Sequence, residues 1–306
     1  MKVLTTKDFK KIDMYAEDEV WRGESLTYWQ SVKMSLLRNK VAIVTIIILL
    51  LMITMAIIYP VFTKVPFELE DYKIKNLKPS LEHLFGTDAN GREIFAGFWK
   101  GARTSFSLGF IVAFINLTIG LVYGSICSFY GGLIDDILMR VVEIMMNIPL
   151  LVIVVLMNML LGRSLVTFVV AMSITGWCNV AQLIRGQLIQ KKQQEYILAA
   201  KALGASSSRI ISKHLIRNII STAIVTITLE IPNVIMLECA LSFIGFGSPL
   251  LSWGRLFFGA AFALHFYPSQ VFIPAFFISL TIICFNVLGD ALRDAFNPHE
   301  VILIKK

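Results

Sequence analysis

Three glutamates lie inside long apolar segments of the chain, where a charged side chain is costly unless it faces water or protein. They are Glu143, Glu230 and Glu238. One interpretation is a relay for protons or cations, as in a secondary transporter. The other is that each acid pairs with a polar group of the bundle, such as Arg140 beside Glu143, or faces an aqueous translocation cavity. We favour the second, because no basic residue lies near mid-span and no inverted repeat is evident.

Patterns for enzymatic chemistry are absent from the sequence. It contains no GxxxxGK[ST] loop, so the chain has no P-loop of its own for ATP, and no HExxH, CxxC or GxSxG motif. The four histidines are scattered, and the four cysteines lie in apolar stretches without close spacing, which predicts free buried thiols. We therefore predict no catalytic residue, no metal site and no cofactor in this chain, and any energy must come from a partner.

The composition indicates a polytopic membrane protein. Of 306 residues, 56% are hydrophobic and 16% are charged, and the mean hydropathy is +0.72. Soluble domains carry roughly 25% charged residues. The net charge of +7 does not indicate nucleic acid, because the basic residues cluster at the ends of apolar segments and in loops expected to be cytosolic. The first 40 residues are polar, so the first apolar run is a retained span and not a signal peptide.

Hydropathy predicts an all-α polytopic membrane protein with six transmembrane helices. The predicted spans are 41–62, 104–129, 137–161, 164–184, 218–246 and 272–288, with a surface helix over 252–266. The other segments are a cytoplasmic tail at 1–40, an extracytoplasmic connection at 63–103, a loop at 186–217 inside the 104–290 core, and a cytoplasmic tail at 291–306. This orientation places most of the 28 Lys and Arg residues in the cytosol.

A polar interruption between the fourth and fifth spans predicts a short amphipathic helix. One face of this helix carries Tyr196, Ala199, Ala200 and Leu203. Gly204 follows where a helix C-terminus favours a residue with positive φ, and Ser206–Ser208 can cap a second helix that starts near Arg209. Such a helix suits docking into a groove on a soluble partner. An ordinary cytosolic loop is the alternative.

This interruption resembles the cytoplasmic "EAA" coupling loop of ATP-binding-cassette (ABC) importer permeases. Ala199, Ala200 and Gly204 match the family pattern, and Leu198 stands at its Glu position. Arg217 replaces the usual Pro, so the start of the next helix is less sharply fixed.

Four further blocks resemble the dipeptide, oligopeptide and nickel importers, in the second-permease ("C"-type) branch. They are GTDANGRE…GARTSFSLG, YGGLID, ECALSFIGFG…SWG and NVLGDALRD. One departure is Gln182, which replaces the usual Arg in a WxxxAR pattern.

The resemblance implies a type I ABC importer permease fold with a cytoplasmic coupling helix, in the plasma membrane of a bacterium. It implies a heterodimer with a second permease, two ATPase subunits that bind ATP and Mg, and an extracytoplasmic binding protein that delivers peptide. The implied coupling residues are Glu195, Ala199, Ala200, Gly204 and Arg209. An ion-coupled secondary transporter or channel that uses the intramembrane glutamates stays the alternative, and a membrane scaffold or peptide-signal receptor component is a third.

Overall fold

The computed structural model describes residues 28–63, 67, 70–195, 197, 202–204 and 216–296. Within these ranges no strand occurs, and the β-type pairing is limited to an isolated bridge between Thr87 and Glu93. The helices are α1 (Tyr28–Arg38), α2 (Lys40–Phe62), α3 (Ile94–Tyr130), α4 (Gly132–Met146), α5 (Leu150–Leu161), α6 (Leu165–Lys192), α7 (Ile216–Phe243), α8 (Trp253–Ala261) and α9 (Ser269–Ala295).

Five helices, α2, α3, α6, α7 and α9, are long and apolar enough to cross a membrane. Helices α4 and α5 give a sixth span when they are taken together, although they are bent by 80°. The predicted all-helical fold is therefore confirmed. We call the end of the bundle where α6 ends and α7 begins the connector end, after residues 193–215 that join the two helices.

The third span differs from its prediction as a continuous helix over 137–161. Helix α4 stops at Met146, where the Asn147 side chain donates a hydrogen bond to the Glu143 carbonyl oxygen at 2.6 Å. Pro149 then precedes α5. A proline has no N–H for the preceding turn and disfavours a helical residue before it, so the chain bends here.

Helix α3 begins at Ile94, well before the predicted start at Thr104. The sequence of 93–100 is compatible with a separate helix along the membrane interface, but residues 94–100 form the first part of α3. With 37 residues, α3 is about 55 Å long, whereas the hydrocarbon core is roughly 30 Å thick. It therefore extends beyond the membrane at the end opposite the connector.

Two other helices also differ from their predicted limits. Pro232 predicts a kink or break within the fifth span, but α7 runs without interruption through it. Helix α9 has 27 residues instead of the predicted 272–288, because its polar ends are helical but fall outside the apolar window. The surface helix α8 is shorter than the predicted 252–266.

Close packing of α3 against α6 fixes the centre of the bundle. A Cβ atom added at Gly120 would lie 2.6 Å from the Val180 Cβ atom, and one at Gly124 would overlap the backbone carbonyl oxygen of Ala181. Both contacts are closer than real Cβ atoms make, so glycine is what allows the two helices to approach this closely. Small residues serve this purpose in membrane helices generally.

The connection between α2 and α3 is held by side chains rather than by regular structure. Asp88 Oδ1 accepts hydrogen bonds from the backbone nitrogens of Asn90 at 2.8 Å and Arg92 at 2.9 Å. Gln270 of α9 donates to the Thr87 carbonyl oxygen at 2.8 Å, which attaches the turn to the bundle.

The spacing of Asp88 and Arg92 predicts an ion pair across the turn, but the Arg92 guanidinium pairs with Glu70 instead. Hydrogen bonds from Tyr72 and then from Arg92 lower the pKa of the Glu70 carboxyl.

We predict that Gly124→Ala destabilises the protein, because the new methyl group would press on the α6 backbone. Overpacking of this kind lowers the free energy of unfolding by about 1–3 kcal/mol. Gly186→Ala is the matched control, since Gly186 also lies in a helix but has no atom near its would-be Cβ. Thermal unfolding in mild detergent gives the melting temperatures of both variants. Equal melting temperatures for the two variants would show that the α3–α6 contact does not limit stability.

Candidate functional site

The predicted coupling segment follows α6 directly. Ile197 is buried at 3% exposure and packs with Ile184 and Leu188 of α6. Leu203 is 89% exposed, and Gly204 has φ +83°, as predicted for a residue that ends a helix. The segment is therefore attached to α6 at one point and presents an apolar side chain to its surroundings at another.

Part of the predicted coupling set cannot be placed. Glu195 lies in a helical position and is exposed, three residues beyond the end of α6. Ala199, Ala200 and Arg209 lie outside the described residues, as does the Arg217 side chain. The packing role predicted for the two alanines stays a prediction.

A bidentate ion pair ties α6 to the first turn of α4. Arg185 Nε lies 2.6 Å from Asp135 Oδ1, and Arg185 Nη2 lies 2.5 Å from Asp135 Oδ2. The Asp135 side chain is only 9% exposed. Lys192 reinforces this corner by donating to the carbonyl oxygens of Ser128 and Phe129 at the end of α3. Both ion-pair residues lie in or beside the motifs noted in the sequence, but their pairing was not predicted.

The three candidate glutamates occupy three different environments. Glu143 lies on the surface of α4 and pairs with Arg140, with its Oε2 atom 2.8 Å from Nη1. The side chains are 52% and 75% exposed. The predicted pair is therefore present. The acid faces the outside of this chain.

Glu238 is sealed inside the bundle at 0% exposure. Its Oε1 atom accepts from Ser242 at 2.6 Å, and its Oε2 atom accepts from Ser105 at 3.2 Å. The Ser105 hydroxyl in turn accepts from the backbone nitrogen of Trp253, at the start of α8. The carboxyl group thus joins α3, α7 and α8, which agrees with the interpretation of a polar group paired within the bundle.

Glu230 is partly exposed and lines a cavity of about 850 Å³. Asn116 of α3 donates from Nδ2 to Glu230 Oε1 at 3.0 Å. Asn116 itself is 1% exposed and packs against Gly176 of α6, where a Cβ would lie 2.8 Å from its Cγ. The geometry therefore agrees with the interpretation that Glu230 faces a cavity.

The cavity runs from the connector end into the middle of the bundle. Amides and hydroxyls form much of its wall, namely Asn179, Gln187, Gln194, Ser221, Thr226 and Asn233. Tyr28, Arg293, Asp294 and Phe296 lie at its mouth. Neutral groups that both donate and accept hydrogen bonds can replace part of the hydration of a polar solute. The wall is chemically suited to the passage of such a solute.

No arrangement for metal binding appears in the described part of the chain: no three His, Cys, Asp or Glu side chains converge there. The four cysteines are free, and Cys127, Cys178 and Cys284 are buried. Cys239 is only partly buried.

The helical arrangement matches a solved transporter. It is similar to a chain of the structure described as "Inward facing conformations of the MetNI methionine ABC transporter", with a TM-score of 0.53 and 18% identity. The match covers 66% of this chain and 95% of the other. The fold is therefore that of an ABC importer permease.

The chain belongs to the family described as "Binding-protein-dependent transport system inner membrane component", whose model matches residues 104–300. Residues 27–79 match the "N-terminal TM domain of oligopeptide transport permease C", which identifies the second-permease branch. The chain is thus a membrane-spanning permease component of an ABC transport complex.

Similar curated proteins agree with this assignment. The chain is 42% identical to the oligopeptide transport system permease protein OppC of Bacillus subtilis, over 90% of this chain and 91% of the relative. It is also 42% identical to the dipeptide transport system permease protein DppC of the same organism, over 90% and 87%. Identity to OppC of Haemophilus influenzae is 36%, over 93% and 92%.

We predict that Glu238→Ala lowers the free energy of unfolding by about 3 kcal/mol, because it leaves a void and two buried hydroxyls without their acceptor. Glu238→Gln keeps one acceptor oxygen and is expected to lose less. Glu143→Ala is the control, since an exposed ion pair contributes about 0–1 kcal/mol. Unfolding in detergent, followed by tryptophan fluorescence, measures all three. A Glu238→Ala variant as stable as Glu143→Ala would contradict the structural role.

Proposed function

We propose that this chain is a membrane-spanning subunit of an ATP-driven importer of peptides. It forms half of the translocation pathway and couples to cytosolic ATPases through its loop at 186–217. The observation that carries the proposal is the polar cavity, which opens at the same end of the bundle as the connector. The names of the similar permeases support a peptide as the cargo.

The proposed complex contains three kinds of partner protein. A second permease supplies the other wall of the pathway, and two ATPase subunits bind ATP and Mg on the cytosolic side. An extracytoplasmic binding protein delivers the peptide. In this proposal the ATPase subunits hydrolyse ATP and this chain supplies no ATP site of its own, in agreement with the absence of a P-loop motif from its sequence.

The proposed orientation places both termini and the connector in the cytosol of a bacterium. The rings of Tyr28 and Phe296 stack with centroids 6.4 Å apart, so the first and last described helices meet. The Tyr28 hydroxyl also lies 2.9 Å from Ser221 Oγ, near the start of α7. All three residues lie at the connector end, which supports a common side for the tails and the loop.

Coupling is proposed to act through α6. Closure of the ATPases would displace residues 195–204, and Ile197 would pass this displacement to Ile184 and Leu188, against which it packs. The same helix lines the cavity with Asn179 and Gln187. Because packed helices move as units, displacement of the segment would rock the cavity wall between inward-open and outward-open states.

The ion-coupled alternative requires acids that protons or cations can visit in succession across the membrane. Glu143 lies on the outer surface of this chain, and Glu238 is sealed behind serine hydroxyls. Only Glu230, of the three, lines the large cavity. This distribution favours an ATP-driven mechanism over a relay.

We predict that Leu203→Asp prevents stable association with the ATPase subunits, because it places a charge where an exposed apolar side chain would enter their groove. Loss of such an anchor amounts to about 2 kcal/mol or more, roughly a thirtyfold loss of affinity. The association is measured by affinity purification of the tagged chain in mild detergent, followed by mass spectrometry of the co-eluting proteins.

Leu81→Asp is the matched control for this experiment. Leu81 is 97% exposed, but it lies in the connection between α2 and α3, at the opposite end of the bundle. Leu203 is a cleaner test than Gly204→Trp, because any side chain at Gly204 would be strained by its positive φ. Retention of the ATPases by Leu203→Asp would argue against coupling through this segment.

We also predict that uptake of a labelled peptide by proteoliposomes containing the complete complex requires ATP on the ATPase side. It should persist when an uncoupler collapses the proton gradient. Uptake driven by a proton gradient without ATP would support the ion-coupled alternative, and specific binding of peptide without any uptake would support a receptor role.

A further inference from the structure

Glu230 stands apart from the other charged groups of the cavity by its depth. Charged residues among the described cavity lining are Lys191, Glu230, Arg293 and Asp294. Lys191 lies in the last turn of α6, and Arg293 and Asp294 lie in the last turn of α9. These three residues are therefore at the mouth of the cavity. Glu230 lies fourteen residues into α7, about 21 Å from its first residue at 1.5 Å per residue. A solute deep in the cavity therefore meets one carboxyl group surrounded by neutral polar groups.

The protein holds this carboxyl group in a defined position. Asn116 donates to one oxygen of Glu230 from behind, and Gly176 leaves the space that Asn116 occupies. The Oδ1 atom of Asn116 is buried and has no hydrogen-bond partner among the described residues. Asn233 lines the same wall three residues further along α7. The acid is thus oriented by an amide, and no basic side chain of the described residues pairs with it.

These groups fit one kind of ligand better than others. A divalent metal site would need a closer set of strong ligands, and none converges in the described residues. A proton relay would need a second titratable group nearby, and the other lining charges lie at the mouth. A primary ammonium group has three N–H donors and one positive charge, which match a carboxylate set in a cavity wall of neutral amides and hydroxyls.

We propose that Glu230 is a recognition site in the translocation cavity for the primary ammonium group of the cargo, and that it favours peptides with a free amino terminus. This inference rests on the proposed function, since it assigns a part of the peptide to a part of the pathway. The ammonium could belong to the amino terminus or to a lysine side chain, and the experiment separates these two sources.

The test measures uptake by proteoliposomes that contain the complete transporter, ATP and a saturating amount of the binding protein. Three labelled substrates are compared: trialanine, N-acetyl-trialanine, and N-acetyl-Ala-Lys-Ala. The quantity of interest is the ratio of kcat/KM for trialanine to that for N-acetyl-trialanine. The preference of the binding protein contributes equally to this ratio in wild type and variant, so any change reports on the permease.

The main variant is Glu230→Gln, which keeps an oxygen to accept from Asn116 but removes the charge. We expect it to lower the ratio about tenfold, through slower uptake of trialanine with little change for N-acetyl-trialanine. The matched control is Glu143→Gln, which removes an acid from the surface of α4 and should leave the ratio unchanged. If N-acetyl-Ala-Lys-Ala is slowed as strongly as trialanine, the site accepts any primary ammonium; if it is not, the amino terminus is the ligand.

Equal slowing of all three substrates, or no change in any, would overturn the inference and leave Glu230 with a structural role only. If Glu230→Gln does not assemble with its partners, Glu230→Asp carries the test. It keeps the carboxyl group on a side chain that is one methylene shorter, so a ratio between those of the wild type and Glu230→Gln is expected. A ratio equal to that of the wild type would count against the inference. Absence of ATP-dependent uptake of trialanine by the wild type would instead overturn the proposed function itself.

Discussion

Lipid chains are as apolar as leucine side chains, so two helices in a membrane gain little free energy when they replace contacts with lipid by apolar contacts with each other. Membrane helices associate instead where small residues let their backbones pack closely, as α3 and α6 do at Gly120 and Gly124. The register of this contact also sets Asn116 against Gly176. The position of Glu230, which depends on Asn116, therefore follows from the way in which the two central helices pack.

The same residue type acquires different roles because its neighbours differ. Glu143 has an arginine one turn away and lies on the surface, so its charge is satisfied locally. Glu238 is fully buried and accepts from serine hydroxyls of α3 and α7, and Ser105 of α3 also accepts from the Trp253 backbone nitrogen, which holds the surface helix α8 to the bundle. Glu230 has an amide behind it and a cavity in front. A count of acids in apolar segments cannot separate these cases, because the deciding groups are distant in sequence.

Local patterns predicted the fold well and long-range pairs poorly. Apolar segments of membrane length were sufficient for the spans, and Gly204 was recognised as the end of a helix because positive φ is a local property. The bend before Pro149 was missed because a proline within an apolar run can also be accommodated, as Pro232 shows. The pairing of Arg185 with Asp135 joins residues fifty positions apart, and no local signal specifies it.

Helix α6 connects these features mechanically. One of its faces receives Ile197 from the connector, another carries the Arg185 ion pair to Asp135, and a third lines the cavity with Asn179 and Gln187. The ion pair resists separation of α6 from the start of α4, since breaking it would leave the buried Asp135 charge without its partner. A force applied to the connector is therefore more easily relieved by movement of α6 together with its neighbours than by distortion of α6 alone. On this argument, the ion pair is what would convert a local displacement at the ATPases into rotation of the cavity wall.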